Sequence, residues 1–205
     1  MTKETESHIS SFYSKYLKRV LDFFVASICL VIFSPLIIFC WLAIKKERSG
    51  PALFTQERIG KGGKPFKIYK FRSMYVDAEE DGPDLATEND ERLTPTGKFL
   101  RAHHLDELPQ LWNVLKGDMA FVGYRPERKF YIDRIMENDA RYERLYAFRP
   151  GVTSYATIYN GYTDTMEKML RRLELDLGYM ENCSFLTDVK ITCLTFSKIV
   201  FGKKF

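Results

Sequence analysis

Residues 23–44 read FFVASICLVIFSPLIIFCWLAI, and this uncharged stretch decides the fold of the chain. As a straight helix it would extend about 33 Å, enough to cross the hydrocarbon core of a bilayer. Ser34-Pro35 lies just past its middle, where proline removes a backbone donor and breaks or kinks a helix. We do not expect a signal peptide, because the stretch is long and no small-residue cleavage site follows it before Lys45.

Both ends of this apolar stretch are basic. The flanking cations are Lys15, Lys18, Arg19, Lys45, Lys46 and Arg48. A spanning helix usually has positive charge on its cytoplasmic side only, so two positive flanks favour a re-entrant helix over about residues 20–44. It would turn at Ser34 and Pro35, and the Ser34 hydroxyl would satisfy a carbonyl freed there. A spanning helix and a buried helix hairpin of a soluble protein are the alternatives.

The composition limits the class of protein. The chain has 205 residues, 45% of them hydrophobic and 28% charged, which excludes global disorder and fibrous repeats. The mean hydropathy of −0.26 argues against a polytopic transporter. The four cysteines form no C-x-x-C pair, so neither a zinc ribbon nor a thioredoxin-like motif is predicted.

Charge is unevenly distributed after the apolar stretch. Residues 45–72 carry nine basic and two acidic side chains, whereas residues 77–91 carry eight acidic side chains and no basic one. A basic block directly beside a membrane segment favours contact with anionic phospholipid headgroups or with a phosphorylated ligand. We expect no nucleic acid as a partner, since no recognition helix or stacking motif is present.

The remaining pattern predicts an α+β fold. Residues 52–59 and 65–74 alternate as two strands of a hairpin, residues 77–90 read as a loop, and residues 119–122 read as a short strand. Predicted helices cover about 96–103, 106–117, 126–135, 139–148, 165–183 and 186–201. We therefore predict an N-terminal re-entrant membrane helix hairpin within residues 1–48. One small mixed cytosolic domain with amphipathic interfacial helices follows, over residues 49–205.

The sequence LDELPQL, residues 105–111, has the clearest catalytic potential. Asp106 is predicted to cap a helix, whose positive end would keep Asp106 and Glu107 ionised. An ionised carboxylate can attack phosphorus, and its neighbour can hold a divalent metal. The alternative is an ordinary helix cap. A histidine metal site at His103-His104 is disfavoured, because adjacent side chains on a helix diverge.

Basic residues placed around this carboxylate pair suit a diphosphate, because guanidinium groups bind phosphate oxygens in a bidentate manner. The candidates for binding substrate phosphate are Arg101, Arg125, Arg149, Lys70 and Arg72.

Over residues 18–199 the chain resembles the bacterial sugar transferase family, the monotopic polyprenyl-phosphate phosphoglycosyl transferases. The resemblance rests on an ordered series of motifs: KRVLD (18–22), SP (34–35), FTQERIG (54–60), FKIYKFRSM (66–74), LDELPQLWNVLKGDM (105–119) and RPGVT (149–153). A spaced set near the C-terminus completes the series: Asp176, Tyr179, Asn182, Ser184 and Asp188.

This resemblance implies a reaction. A nucleotide-diphospho-sugar, expected to be a UDP-sugar, would give its sugar 1-phosphate to undecaprenyl phosphate and so initiate capsule, O-antigen or exopolysaccharide assembly. Asp106 would form a covalent phosphosugar intermediate, Glu107 with Asp106 would hold Mg²⁺, and Arg101 would contact substrate phosphate. The enzyme would be monotopic on the cytoplasmic face of the inner membrane, and a homodimer is compatible with the resemblance.

The sequence also departs from the family pattern. Tyr124 replaces the proline usual after the catalytic helix, and residues 152–161 contain an extra residue and lack a usual glutamine. The identity of the sugar is therefore left open. Two other functions are considered beside transfer, a non-catalytic membrane adaptor and a membrane-bound phosphohydrolase.

Overall fold

The computed structural model describes residues 12–47, 50–78, 90–161 and 163–200. Most of the predicted acidic loop, together with the flanking cation Arg48, lies outside the described residues. The domain boundary predicted after residue 48 also falls at this gap.

The described residues form a mixed α and β structure with one long N-terminal helix. The α-helices are α1 (Lys18–Glu47), α2 (Pro95–Ala102), α3 (Gln110–Lys116), α4 (Lys129–Asn138), α5 (Tyr155–Asn160), α6 (Met166–Glu181) and α7 (Phe185–Val200). The strands are β1 (Leu53–Ile59), β2 (Pro65–Phe71), β3 (Ala120–Val122) and β4 (Gly151–Thr153). A π-helical turn covers Tyr13–Leu17, and 3₁₀ segments cover Lys61–Gly63, Leu105–Glu107 and Ala140–Ala147.

The predicted hairpin is confirmed. Strands β1 and β2 pair antiparallel in a register that sets Gln56 opposite Ile68. Strands β3 and β4 form a separate parallel pair. The prediction missed β4 and α5, because the three-residue strand is too short to show a period.

Three predicted helix starts are wrong, and one of them belongs to the helix predicted over residues 126–135, which is observed as α4 from Lys129 to Asn138. Helix α2, predicted to begin at a Thr96 cap, is capped by Thr94 instead, because the Thr94 hydroxyl accepts from the Gly97 amide (2.9 Å) and proline occupies the first helical position. The helix predicted from Asp106 begins only at Gln110, so Asp106 lies in a 3₁₀ turn before it and is not its cap. Gly117, with φ +93°, ends this helix as predicted.

Helix α1 is continuous through Ser34 and Pro35, so the predicted hairpin of two separate helices is not observed. Proline at position 35 leaves the carbonyl of Val31 without its usual backbone donor. The Ser34 hydroxyl donates to that carbonyl at 2.8 Å. The predicted hydrogen bond of the Ser34 hydroxyl is therefore confirmed, and this replacement bond explains how the helix continues past proline.

The two ends of α1 are buried against the rest of the protein, whereas its middle is not. Near the start, Ala26 packs with Val114 and Met119; near the end, Cys40 and Ile44 join a second apolar cluster. No residue from 27 to 39 is buried against other parts of the described chain. This exposure is incompatible with the alternative of a buried core hairpin.

The main core lies between α4, α6 and the 3₁₀ segment that precedes β4. Tyr124, Ile132 and Leu173 are among its most buried side chains. Strands β3 and β4 border this core, and a Cβ on Gly123 would lie only 2.4 Å from the carbonyl oxygen of Arg149. Glycine at this position therefore allows the two chain segments to meet.

Candidate functional site

The carboxylate pair Asp106 and Glu107 lies in the 3₁₀ turn between α2 and α3. His104, with φ +53°, reverses the chain just before this turn. Asp106 is 6% exposed. The Lys70 ammonium lies 2.6 Å from Glu107 Oε1, and Arg125 Nη2 lies 3.7 Å from the same oxygen. Strand β2, the 3₁₀ turn and the segment after β3 thus bring their charges together.

Asn113 fixes strand β2 beside helix α3 and so positions Lys70. Its Oδ1 accepts from the Tyr69 amide at 3.0 Å, and its Nδ2 donates to the Lys67 carbonyl at 2.7 Å. The side chain is fully buried and bonds to the backbone of the strand as a neighbouring strand would. No role was predicted for Asn113, although it lies within the motif LDELPQLWNVLKGDM of residues 105–119.

The two carboxyl groups of the pair have opposite pKa shifts. Burial raises the pKa of Asp106, and the nearby charges of Lys70 and Arg101 only partly oppose this. Burial acts in the same direction on Glu107, but Lys70 and Arg125 outweigh it and hold the pKa of Glu107 well below its usual range. A pair of carboxyl groups with separated pKa values is typical of sites in which the two have different roles.

Arg125 connects the pair to a buried polar group in the interior. Burial raises the pKa of Asp176 to about 7, although Arg172, the Arg125 amide and the Ser154 hydroxyl oppose this. Within the described residues, Asp176 Oδ1 has no hydrogen-bond partner. Glu127 pairs with both Arg172 and Arg58. The sequence motifs include Asp176, but they do not predict this cluster of buried charges.

The other predicted phosphate-binding cations are placed differently. Arg101, in the last turn of α2, is near enough to affect both Asp106 and Asp90 electrostatically. Arg72 is buried, and its guanidinium lies against Gly50. Arg149 donates to the Gly117 carbonyl at 2.9 Å and is not among the main charges that act on the carboxylate pair. Arg101, Arg125 and Lys70 are therefore the cations associated with the pair.

The residues present fit a divalent metal only as a partial ligand set. No group of three or more acidic, histidine or cysteine side chains suited to a metal occurs in the described part of the chain. Mg²⁺ is commonly held by one or two carboxylates, with water and substrate phosphates completing its shell. Asp106 and Glu107 can supply the carboxylates. His103 Nδ1 is bonded to the Phe99 carbonyl oxygen at 2.9 Å.

The long apolar helix fits membrane association, and the cations around the carboxylate pair suit an anionic ligand. In the described chain, the segment Tyr13–Glu47 is apolar and long enough to cross a membrane. Residues 13–202 match the bacterial sugar transferase family. The chain belongs to this family, as its motifs predicted.

Relatives in the family carry names that state an activity. The chain is 45% identical to the UDP-glucose:undecaprenyl-phosphate glucose-1-phosphate transferase of Caulobacter vibrioides, over 87% of this chain and 67% of that protein. It is 38% identical to a UDP-N-acetylgalactosamine-undecaprenyl-phosphate N-acetylgalactosaminephosphotransferase of Aeromonas hydrophila, over 91% of this chain and 44% of that protein. A Bacillus subtilis relative, the uncharacterized sugar transferase EpsL, is 40% identical and is covered over 89% of its length.

The chain thus spans only 44% of the Aeromonas hydrophila relative and 67% of the Caulobacter vibrioides relative. The two named activities also differ in their sugar, one being a glucose and the other an N-acetylgalactosamine transferase. The names of these relatives therefore do not agree on one sugar.

Proposed function

We propose that the protein transfers a sugar 1-phosphate from a UDP-sugar to undecaprenyl phosphate at the cytoplasmic face of the inner membrane. The observation that carries this proposal is the arrangement of Asp106 and Glu107 with Lys70 and Arg125 close to the long apolar helix. Lys70 and Arg125 are cations that can bind anionic phosphates. Asp106 is a carboxylate that can act as the nucleophile of a covalent transfer. The relatives' names agree with this class of substrates.

Asp106 is the proposed nucleophile. One of its carboxylate oxygens forms a bond to the phosphorus that carries the sugar, and the bond from that phosphorus to the nucleotide oxygen breaks. Uridine monophosphate leaves with the bonding electrons. A phosphate oxygen of undecaprenyl phosphate then attacks the same phosphorus, the bond to Asp106 breaks, and the carboxylate is restored. No proton has to be lost from either attacking oxygen when it is ionised.

The separated pKa values support this division of roles. Glu107 is held ionised by Lys70 and Arg125, so its charge is available at any physiological pH. The raised pKa of Asp106 makes its ionised form a more basic and therefore stronger nucleophile. Lys70 lies where it neutralises the carboxylate pair as a negatively charged diphosphate approaches.

Mg²⁺ is the proposed cofactor, with Glu107 and Asp106 as its protein ligands. When bound, it would neutralise diphosphate charge. Arg101 and Arg125 are the proposed contacts for the substrate's phosphate oxygens, because both act electrostatically on the carboxylate pair.

The proposed membrane arrangement is re-entrant and monotopic. Both ends of α1 contact the folded part of the chain that follows it. Arg19 donates to the carbonyls of Val114 and Leu115 near the end of α3, and Glu47 accepts from the Thr96 amide. A helix anchored to one domain at both ends, with an exposed apolar middle, suits entry into and return from one leaflet. Helix α7 supports contact with the same surface through exposed apolar side chains: Phe185, Leu186, Val189, Phe196 and Ile199.

Two rival functions make different predictions. A non-catalytic adaptor would not need the charged pair, and a phosphohydrolase would release phosphate or sugar phosphate to water without a lipid acceptor. The test is a panel of UDP-sugars with purified full-length protein in detergent, with and without undecaprenyl phosphate. We expect stoichiometric formation of uridine monophosphate and lipid-linked sugar that requires the lipid for repeated turnover. Lipid-independent turnover would indicate hydrolysis, and no product with any sugar would contradict transfer.

A further inference from the structure

A pocket of about 210 Å³ lies beside the start of α1, apart from the carboxylate pair. Water occupies roughly 30 Å³ in the liquid, so the pocket has room for a considerably larger group. Its charged lining consists of Lys15, Lys18, Arg19, Asp22, Lys61 and Arg149. Five of these six side chains are basic, and they come from α1, from the turn before it, from the β1–β2 loop and from the segment before β4.

Some of these charges are already used to hold the fold. Lys18 forms an ion pair with Asp188. The Arg19 guanidinium donates to the carbonyls of Val114 and Leu115. Asp22 accepts from the Phe121 amide at 3.3 Å.

The remaining cations have no such compensation. Across the described ranges, neither Lys15 nor Lys61 donates a hydrogen bond to a carboxylate, and Arg149 is held through Nε alone. Burial lowers the pKa of Lys61, and the positive charge of Arg149 lowers it further. Burial likewise lowers the pKa of Arg149, with Arg19 adding to the effect and Asp22 opposing it. Like charges thus face each other across a space large enough for an anion.

The position of the pocket indicates where that anion comes from. Apolar and aromatic side chains close to it in the chain are exposed, including Phe12 at 72%, Tyr16 at 54% and Val20 at 50%. Aromatic residues next to lysines are typical of the boundary between lipid and water. The pocket lies at the first end of the apolar helix, and with that helix in a membrane as proposed above, this is the level at which lipid phosphates are found.

We propose that this pocket binds the phosphate group of an anionic membrane phospholipid. Lys15, Lys61 and the terminal nitrogens of Arg149 would surround the phosphate oxygens, as clustered cations do at phosphate sites. A lipid held there would fix the first end of α1 to the membrane surface. The inference rests on the proposed membrane association of α1 and is independent of the transfer reaction.

The test uses full-length protein transferred from lipid nanodiscs to native mass spectrometry, with retained lipids counted. The three probes are phosphatidylglycerol, phosphatidylcholine and undecaprenyl phosphate. The test variant is the pair Lys15→Gln with Lys61→Gln. The matched control is Lys46→Gln with Lys64→Gln, which removes the same charge from exposed lysines that do not line the pocket.

We expect the wild type to retain phosphatidylglycerol in preference to phosphatidylcholine, and the test pair to reduce this retention about tenfold while the control pair leaves it within about twofold. Equal loss in both pairs, or equal retention of the two phospholipids, would overturn the proposal. Retention of undecaprenyl phosphate in place of phosphatidylglycerol, lost in the test pair, would assign the pocket to the acceptor lipid instead.

The same preparations are assayed for release of uridine monophosphate. Normal turnover without selective retention of phosphatidylglycerol would contradict the proposed lipid site and leave the proposed function unaffected. Selective retention by a protein that transfers no sugar phosphate defeats the proposed function and leaves the pocket assignment intact.

Discussion

Lys70 Nζ lies 2.6 Å from Glu107 Oε1, although the two residues are 37 positions apart in the chain. The contact joins the β1–β2 hairpin to the turn that carries the carboxylate pair. It exists because Asn113 bonds to the backbone on either side of Ile68 and holds β2 against α3. The hairpin thus brings a cation next to the carboxylate pair of the candidate site.

Lys70→Gln is expected to shift the pH dependence of turnover. Burial raises the pKa of the nucleophile Asp106 and Lys70 opposes this, so without the ammonium the pKa of Asp106 rises further. The acid limb of the rate profile should therefore move to higher pH by about one unit, the size of effect that one adjacent charge produces. Activity would fall most at low pH. The measurement is kcat for monophosphate release from pH 5 to pH 9.

Lys67→Gln is the control for this variant. Lys67 is on the same strand, is exposed, and pairs in register with Glu57 on the neighbouring strand. Its profile should match the wild type. An unshifted acid limb in Lys70→Gln would show that the ionisation of Asp106 does not depend on this lysine.

Gly97→Ala is expected to destabilise the protein. A Cβ at this position would lie 1.8 Å from the carbonyl oxygen of Ser73, a backbone atom that cannot move aside alone. We expect a loss of about 2 kcal/mol or more in the free energy of unfolding, as for other overpacked sites. Gly178→Ala is the matched control, because no atom lies within 4 Å of its added methyl group. In a helix interior it should stabilise by about 0.5–1 kcal/mol, and equal effects of the two substitutions in thermal melts would contradict the packing described.

Asp176→Asn is expected to change how stability depends on pH. The folded protein holds the pKa of Asp176 at about 7, above the value of an unfolded carboxyl group. The contribution of such a group to the free energy of unfolding is fully present below the unfolded pKa, and it is lost as the pH rises toward the folded pKa. The Tm of Asp176→Asn relative to the wild type should therefore increase from pH 4.5 to pH 8. Parallel Tm curves for the two proteins would show that Asp176 titrates normally.

Pro35→Ala is expected to favour a spanning state of α1. Alanine restores the amide that can bond to the Val31 carbonyl, which the Ser34 hydroxyl now occupies. The measurement introduces cysteine at the exposed positions Tyr16 and Lys46, singly, into a chain without its native cysteines. A membrane-impermeant thiol reagent is then added to intact cells.

With Pro35 present, neither introduced cysteine should react until the cells are opened. With Pro35→Ala, one of the two should react from outside. Labelling of either position in intact cells carrying Pro35 would rule out the re-entrant arrangement.

The sequence was sufficient to predict features that depend on local pattern. The β1–β2 hairpin follows from alternation around a glycine-rich loop, and the role of Ser34 follows from the proline beside it. The end of α3 follows from Gly117. The predicted starts of α2 and α3 are wrong because several neighbouring residues, such as Thr94 and Thr96, could each cap the helix. Tertiary packing decides which of them does so, and the local pattern does not show this.

The charges at the site could be predicted only in part. Lys70, Arg101 and Arg125 were identified as cations, and the structure brings all three into the electrostatic surroundings of the carboxylate pair. Arg149 was grouped with them, but its bond to Gly117 places it in the pocket beside α1. Which arginine faces which acid depends on long-range contacts, which a single sequence does not contain.

Formation of a phosphosugar adduct on Asp106 tests the central claim most directly. Wild-type protein and Asp106→Asn are each incubated with an accepted UDP-sugar in the absence of undecaprenyl phosphate, and their masses are measured intact and after digestion. Wild type should gain the mass of one sugar phosphate on the peptide that contains Asp106, and undecaprenyl phosphate should remove it. Asp106→Asn should remain folded, gain no mass and lose turnover by roughly 10⁴-fold or more. A wild-type protein that turns over without any adduct, or an Asp106→Asn protein with normal turnover, would contradict the covalent mechanism.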